Sequence, residues 1–266
     1  MNKRDFLKLS GGAMAAGAIL GSAQVQAQTC PAPEGQSKTF VLVPGAWCGG
    51  FVYDDVAAIL RAGGHTVYTP TLSGLGERVH LLDDKLNLTT HIDDIVNVIR
   101  YNQLENVVLA GHSYGGMPIT GAADKVSDRI TSLVYLDALV PGDGDSILSL
   151  MGVPPGSPAP VDAEGNPILA FPMPAQMFKS FGLAEDQRWR YTEMPNGPGS
   201  EPLHLTGAVD SIAKKSYLWM RSSADFEAIH DQFKDAPGWH VEAWDGGHMM
   251  MIDVPEQTAD FLVRVA

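Results

Sequence analysis

The chain has 266 residues, 45% of them hydrophobic, which is enough to bury a sizeable core in one of the larger α/β domains and excludes a disordered chain. Its 31 acidic residues outweigh 18 basic ones, and the formal net charge of -13 repels phosphate backbones and anionic membrane surfaces, which argues against nucleic acid as a partner. Two cysteines, Cys30 and Cys48, are too few for a disulfide scaffold and lack the paired spacing of a zinc site, so no metal is expected.

The first element is an address. "MNKRDFLKLS" places Lys3, Arg4 and Lys8 ahead of the apolar "GGAMAAGAILG", and small residues follow as far as "VQA", which ends at Ala27. Charge, apolar stretch and small residues in that order predict an export signal over residues 1–27 and a periplasmic or secreted protein. The apolar stretch is well short of the ~20 residues of a spanning helix, so no stable membrane anchor is expected. "KRDFLK" is a Lys-Arg variant of the twin-arginine pattern. In an oxidising compartment Cys30 and Cys48 either pair or stay free, and the sequence favours neither.

From residue 38 the chain alternates. "KTFVLVPG" is a continuous apolar run of the kind found in strands buried on both faces. Helix "FVYDDVAAILRAGG" follows, then strand "HTVYTP", a loop through "TLSGLGERVH", helix "THIDDIVNVIRYNQ", strand "NVVLAGH", helix "GGMPITGAADKV" and strand "ITSLVYLDA". This alternation predicts an α/β fold with a doubly wound, mostly parallel sheet. Between about residues 141 and 205 the rhythm breaks into Pro- and Gly-rich sequence that still carries Phe171, Met173, Met177, Phe178, Phe181 and Trp189. Those side chains predict an insertion with its own packing over a disordered linker. The sheet rhythm resumes with "KSYLWMRSSAD", helix "FEAIHDQF", strand "WHVEAWDGGH" and a closing helix from "VPEQTADFLVRV".

Reactive groups collect at the carboxyl ends of parallel strands. Ser113 stands there, between Gly111 and Gly115 in G-x-S-x-G, with a strand before it and a helix after it. That context turns a weak five-residue pattern into a candidate nucleophile elbow. A serine hydroxyl needs a base, and His248 in "WDGGHMMMIDVPE" follows the last predicted strand, where the order Ser, Asp, His expects it. The other seven histidines have weaker positional cases; His112 lies inside the motif, but its backbone position is expected to turn its ring away from the serine hydroxyl. For the acid, Asp225 at the end of "KSYLWMRSSAD" is preferred, with Asp137 at the end of "LVYLDA" as its competitor and a structural strand-end role as the alternative for Asp137. The backbone amides of Ala46 and Tyr114 are the candidate oxyanion donors, and Trp47 either walls the substrate pocket or simply packs.

"FVLVPGAWCGG", "GGHTVYTPTLSGLGER", "GHSYGGM" and "GGHMMMIDVPE" resemble the α/β-hydrolase superfamily, in particular the branch of plant methylesterases and hydroxynitrile lyases with their bacterial relatives. The resemblance spans nearly all of residues 38–266 and is weakest in the insertion. It implies a catalytic sheet under a small cap, no cofactor, and cleavage of small esters by Ser113 as nucleophile, His248 as base and Asp225 as orienting acid, with Ala46 and Tyr114 as the oxyanion hole. Three departures bear on the reaction. Where the family commonly has His-Gly after the first strand this chain has Pro44-Gly45, and where the lyases carry a lysine after the catalytic histidine it has Met249. The lyases also carry a bulkier residue at the Gly45 position, and both differences from the lyases point to ester hydrolysis over cyanohydrin cleavage. A lactonase or amidase of the same fold stays open, as does a slow-turnover receptor, although export argues against an intracellular partner.

Overall fold

Successive side chains of a strand point to opposite faces of its sheet, and here both faces are apolar. The computed structural model describes residues 37–154, 161–165 and 168–266, all within the unit Pro33–Ala266. The expected export signal, residues 1–27, and Cys30 lie outside the described residues. The strands are β1 (Thr39–Val43), β2 (Thr66–Tyr68), β3 (Val107–His112), β4 (Ile130–Leu136), β5 (Ala170–Phe171), β6 (Met194–Pro195), β7 (Lys214–Met220) and β8 (Trp239–Trp244). Six of them form one sheet in the order β2-β1-β3-β4-β7-β8, every neighbouring pair parallel. The chain thus has the doubly wound parallel α/β architecture expected from its alternating elements.

Helices cover both faces. Val41, Val43, Leu109, Tyr135, Tyr217 and Trp219 face one way, against α2 (Leu88–Tyr101) and α3 (Gly116–Lys125); Phe40, Leu42, Val108, Val134, Leu218 and Met220 face the other, against α1 (Asp54–Ala62) and α9 (Pro255–Val265). In α2 the buried side chains Leu88, His91, Ile92, Ile95, Val96 and Ile99 recur at helical spacing, and the Asn87 side chain caps the helix by accepting from the Thr90 amide at 2.9 Å, a cap worth about 1 kcal/mol. Helix α3 is short-chained and buried on nearly all sides, so it sits close against the sheet and α2.

Strand order reverses between β1 and β3. After β1 the chain moves outward to β2, then returns past β1 to start β3. The carboxyl ends of β1 and β3 therefore border the crevice where open α/β sheets bind ligands. Between β4 and β7 the chain leaves the sheet for the short helices α4 (Ile147–Leu150), α5 (Ala175–Ser180) and α6 (Gly197–Ser200) and the antiparallel pair β5–β6. Phe178, at 1% exposure, anchors this insertion to the core. After β7 come α7 (Glu227–Phe233), β8, then α8 (Met250–Asp253) and α9. Among the described residues no helix is long and apolar enough to cross a membrane.

Candidate active site

Strand β3 ends at His112, and the next residue, Ser113, takes φ 54°, a left-handed conformation that a non-glycine residue adopts at a strain of about 1–3 kcal/mol. The chain then turns into α3 through a single tight turn, Ser113–Gly115. The flanking glycines make the turn sterically possible. A Cβ on Gly111 would lie 2.7 Å from the Gly115 carbonyl oxygen, and one on Gly115 would lie 2.8 Å from the Pro44 carbonyl oxygen. The Leu139 amide donates to the Ser113 carbonyl at 3.1 Å and ties the loop after β4 to the elbow.

His248 lies in the loop after β8 and is 6% exposed. Its Nδ1 is 2.6 Å from Oδ2 of Asp137, which is fully buried. Asp137 directly follows β4 with φ 45°, and its other oxygen accepts from the Met220 amide at 3.0 Å. The preference for Asp225 is therefore corrected: the carboxylate bonded to His248 is Asp137. Strand β7 ends at Met220, and Asp225 falls five residues later, in the turn Ala224–Phe226, exposed and with no hydrogen bond to His248. What the loop after β7 brings to the imidazole is the Ser223 hydroxyl, 3.4 Å from Nδ1.

Ala46 and Tyr114 lie in the loop after β1 and in the elbow, and among the described residues neither backbone N–H has a carbonyl partner. Tyr114 is fixed through its side chain. Its hydroxyl is 2.8 Å from Nδ1 of the fully buried His91, whose Nε2 is 2.8 Å from the Ser73 carbonyl oxygen. Because a carbonyl only accepts, His91 carries its proton on Nε2 and accepts a hydrogen bond from the Tyr114 O–H at Nδ1. Burial holds the His91 imidazole below its ordinary pKa and pushes the Tyr114 phenol well above its own, so both stay neutral.

Trp47 is half-buried with φ 64°, donates Nε1–H to the Phe171 carbonyl at 3.1 Å and packs edge-on against the Phe171 ring. It links the loop after β1 to the insertion. Around His248 the ring centroids of His112, Phe181 and Phe226 lie at 4.4, 4.7 and 5.6 Å, with Phe226 nearly parallel to the imidazole. Phe181 comes from the end of α5, so the insertion reaches the site. Cys48 is a buried free thiol whose pKa burial pushes up to about 12, an inert side chain. Among the described residues no group of three or more His, Cys, Asp or Glu is arranged to hold a metal ion.

His91 and His112 carried no role in the sequence reading. A polar ring at His91, three residues after Leu88 and four before Ile95 on the apolar stripe of α2, is the signal that marks a buried, hydrogen-bonded histidine. Ser223 and the ring of Phe181 carry no comparable mark.

The chain as a whole is similar to known proteins. The chain is 38% identical over 244 residues to the carbendazim hydrolyzing esterase of Nocardioides sp. (strain SG-4G), covering 85% of this chain and 98% of that protein. Methylesterase 8 of Arabidopsis thaliana is 23% identical over 247 residues, covering 88% of this chain and 91% of its own length. Among solved structures, an extracellular alpha/beta-hydrolase from a Paenibacillus species superposes with a TM-score of 0.71 at 25% identity, over 86% of this chain and 99% of that one. Residues 40–261 match the pattern of the alpha/beta hydrolase family, and the chain belongs to that family.

Proposed function

We propose that this protein is a serine hydrolase of small carboxylic esters, working through an acyl-enzyme intermediate with Ser113 as nucleophile, His248 as base and Asp137 as the orienting acid. The observation that carries the reading is the 2.6 Å bond between His248 Nδ1 and Asp137 Oδ2, behind a strained Ser113 on its elbow. With Nδ1–H committed to the carboxylate, the neutral imidazole has its free lone pair on Nε2, the nitrogen that accepts a serine proton. Ser113 Oγ attacks the ester carbonyl as its proton passes to His248, and the oxyanion is received by the amides of Ala46 and Tyr114. Collapse expels the alkoxide, which leaves as the alcohol with the proton that His248 took from Ser113. Water, deprotonated by the same imidazole, then attacks the acyl carbon, and the acid is released as Ser113 takes a proton back from His248. The named esterases and methylesterases among the relatives support an ester, including a methyl ester, as the bond cleaved.

Ser113→Ala tests the reading. The variant is expected to stay folded, to lose ester turnover and to lose covalent labelling by a serine-directed phosphonate. Labelling mapped to another serine would overturn the assignment. A panel of aryl and methyl esters, lactones, an amide and carbendazim, run beside it, separates esterase from lactonase or amidase.

We also propose that residues 1–27 direct export and that residues 38–266 form the catalytic domain, with residues 141–205 as its cap. The ordered charge, apolar and small-residue zones support the first part. Intact mass of the periplasmic protein checks cleavage near Ala27, and a full-length cytoplasmic product refutes it.

A further inference from the structure

His112 lies beside the proposed machinery without a role in the reaction. It directly precedes Ser113, and as the last residue of β3 it pairs with Leu136, the residue before Asp137. Its Nε2 is 3.0 Å from the backbone carbonyl oxygen of His248, and the two rings pack at 4.4 Å. One side chain, 1% exposed, thus joins the nucleophile's strand to the backbone of the base.

That link adds a main-chain hold to a segment whose other holds include the Ser222 hydroxyl, donating to the Gly246 carbonyl at 2.6 Å, and the contacts of the His248 ring. His248 follows Gly246, at φ 147°, and Gly247, two residues without side chains to fix the direction of approach. Asp137 and the Ser223 hydroxyl hold the imidazole at Nδ1, and Phe181 and Phe226 pack on its ring, all through the side chain. His112 is hydrogen-bonded to the main chain of the same residue, and so holds the backbone from which the imidazole projects.

The tautomer of His112 follows from its partner. A carbonyl oxygen accepts only, so Nε2 carries the proton and Nδ1 is a bare acceptor. Nδ1 has no hydrogen-bond partner among the described residues and is pressed against the loop after β1, where a Cβ on Gly45 would come within 2.9 Å of it. Burial, then the neighbouring His248, hold the imidazole well below the ordinary histidine pKa. His112 is therefore a neutral, single-tautomer donor.

We propose that His112 is a positioning residue for the reaction: its Nε2–H holds the His248 main chain so that the imidazole stays aligned with Ser113. The proposal rests on the reading of His248 as the base.

The test compares side chains that differ in the reach of a single donor. In glutamine the terminal amide nitrogen falls near the place of Nε2, and in asparagine it falls near Nδ1, short of the carbonyl. With an aryl ester as probe, His112→Asn and His112→Leu are expected to lower kcat by about 10- to 100-fold, the scale of a misaligned catalytic group, with KM little changed. The rate of phosphonate inactivation is expected to fall in parallel. The far-downfield proton resonance of the His248–Asp137 bond should shift or broaden in both variants. His112→Gln should restore all three readouts towards wild type. Should His112→Leu fail to fold, the Gln and Asn pair still decides. Equal activity in Gln, Asn and wild type overturns the proposal, and so does an equal loss in Gln and Asn, which would make the ring's packing the cause. His248→Ala, run alongside, isolates the underlying reading: turnover that survives it removes the base itself, a different failure from an absent His112 effect.

Discussion

Asp137 and His248, 111 residues apart in sequence, meet at 2.6 Å in the buried space above the carboxyl ends of β4 and β8. Strand β7 separates those two strands, yet its own loop supplies no carboxylate to the imidazole. Asp137 spans the gap by placing one oxygen on His248 and the other on the amide of Met220, the last residue of β7. Loss of the carboxylate's charge at this position leaves the serine in place but favours the wrong imidazole tautomer, which in a serine protease lowered turnover by about ten-thousand-fold. Asp137→Asn is expected to lower kcat by at least about a hundredfold, whereas Asp225→Asn, at an exposed position, leaves kcat within about twofold. Steady-state kinetics on an aryl ester checks both, and a strong loss in the Asp225 variant alone would return the acid to that residue.

Gly45, with a hydrogen for a side chain, stands between the loop after β1 and the elbow. An added Cβ would sit 2.9 Å from His112 Nδ1 and 3.0 Å from the Ser113 Cβ. Both neighbours are anchored, so the loop carrying the Ala46 amide has to move instead. Gly45→Ala is expected to reduce kcat by about 10- to 100-fold, because an oxyanion donor is displaced, with an overpacking cost of about 1–3 kcal/mol. Chemical denaturation and kinetics measured on the same preparation separate the two effects, and unchanged kcat would show that the loop has room.

The His91–Tyr114 bond is a buried neutral pair. His91→Leu leaves the Tyr114 hydroxyl and the Ser73 carbonyl without their partner, and is expected to cost about 1–3 kcal/mol for each buried group stranded. Adding Tyr114→Phe removes one stranded group and should recover part of that loss. A double-mutant cycle by urea unfolding measures this; strictly additive losses would mean the pair does not interact.

Glu242 governs acid stability at the β8 edge. The Arg264 guanidinium donates to both its carboxylate oxygens, at 2.7 and 3.3 Å, and with His240 and Trp244 holds the carboxyl down to about 2 from an ordinary 4.5. A depressed carboxylate pKa stabilises the folded state above the unfolded value, and that stabilisation is lost as pH falls through the folded one. The Tm difference between wild type and Glu242→Gln is therefore expected to be fully present above about pH 4.5, to shrink below it and to vanish near pH 2. A difference that stays constant across that range would contradict the linkage.

The alternation of apolar runs and amphipathic stretches was enough to read the sheet and its helices, because a buried parallel strand and a one-faced helix leave different periods in the sequence. Ser113 was legible for a local reason: the spacing Gly111, Ser113, Gly115 encodes the steric needs of one turn. The carboxylate was not. Asp137 and Asp225 both follow a strand, and the choice between them depends on how far each lies beyond its strand end, a matter of one residue in one case and five in the other. Strand ends are the least sharply written feature of a sequence. The contacts of His112 and His91 are hidden in the sequence for a related reason, since their partners, a carbonyl 136 residues away and a tyrosine hydroxyl 23 residues away, arise only on folding.

Trp47 joins the loop after β1 to the insertion by main-chain atoms at the far end: its Nε1–H meets the carbonyl of Phe171, and its own carbonyl accepts from the amide of Thr192 at 3.0 Å. Neither bond depends on which side chain stands at position 171 or 192. Substitution at position 171 can therefore change the face that packs on Trp47 without breaking either main-chain bond, whereas the Thr192 hydroxyl also accepts from the Gly76 amide at 2.9 Å. A library randomised at position 171 is expected to keep its turnover, with any change in substrate range read directly across an ester panel.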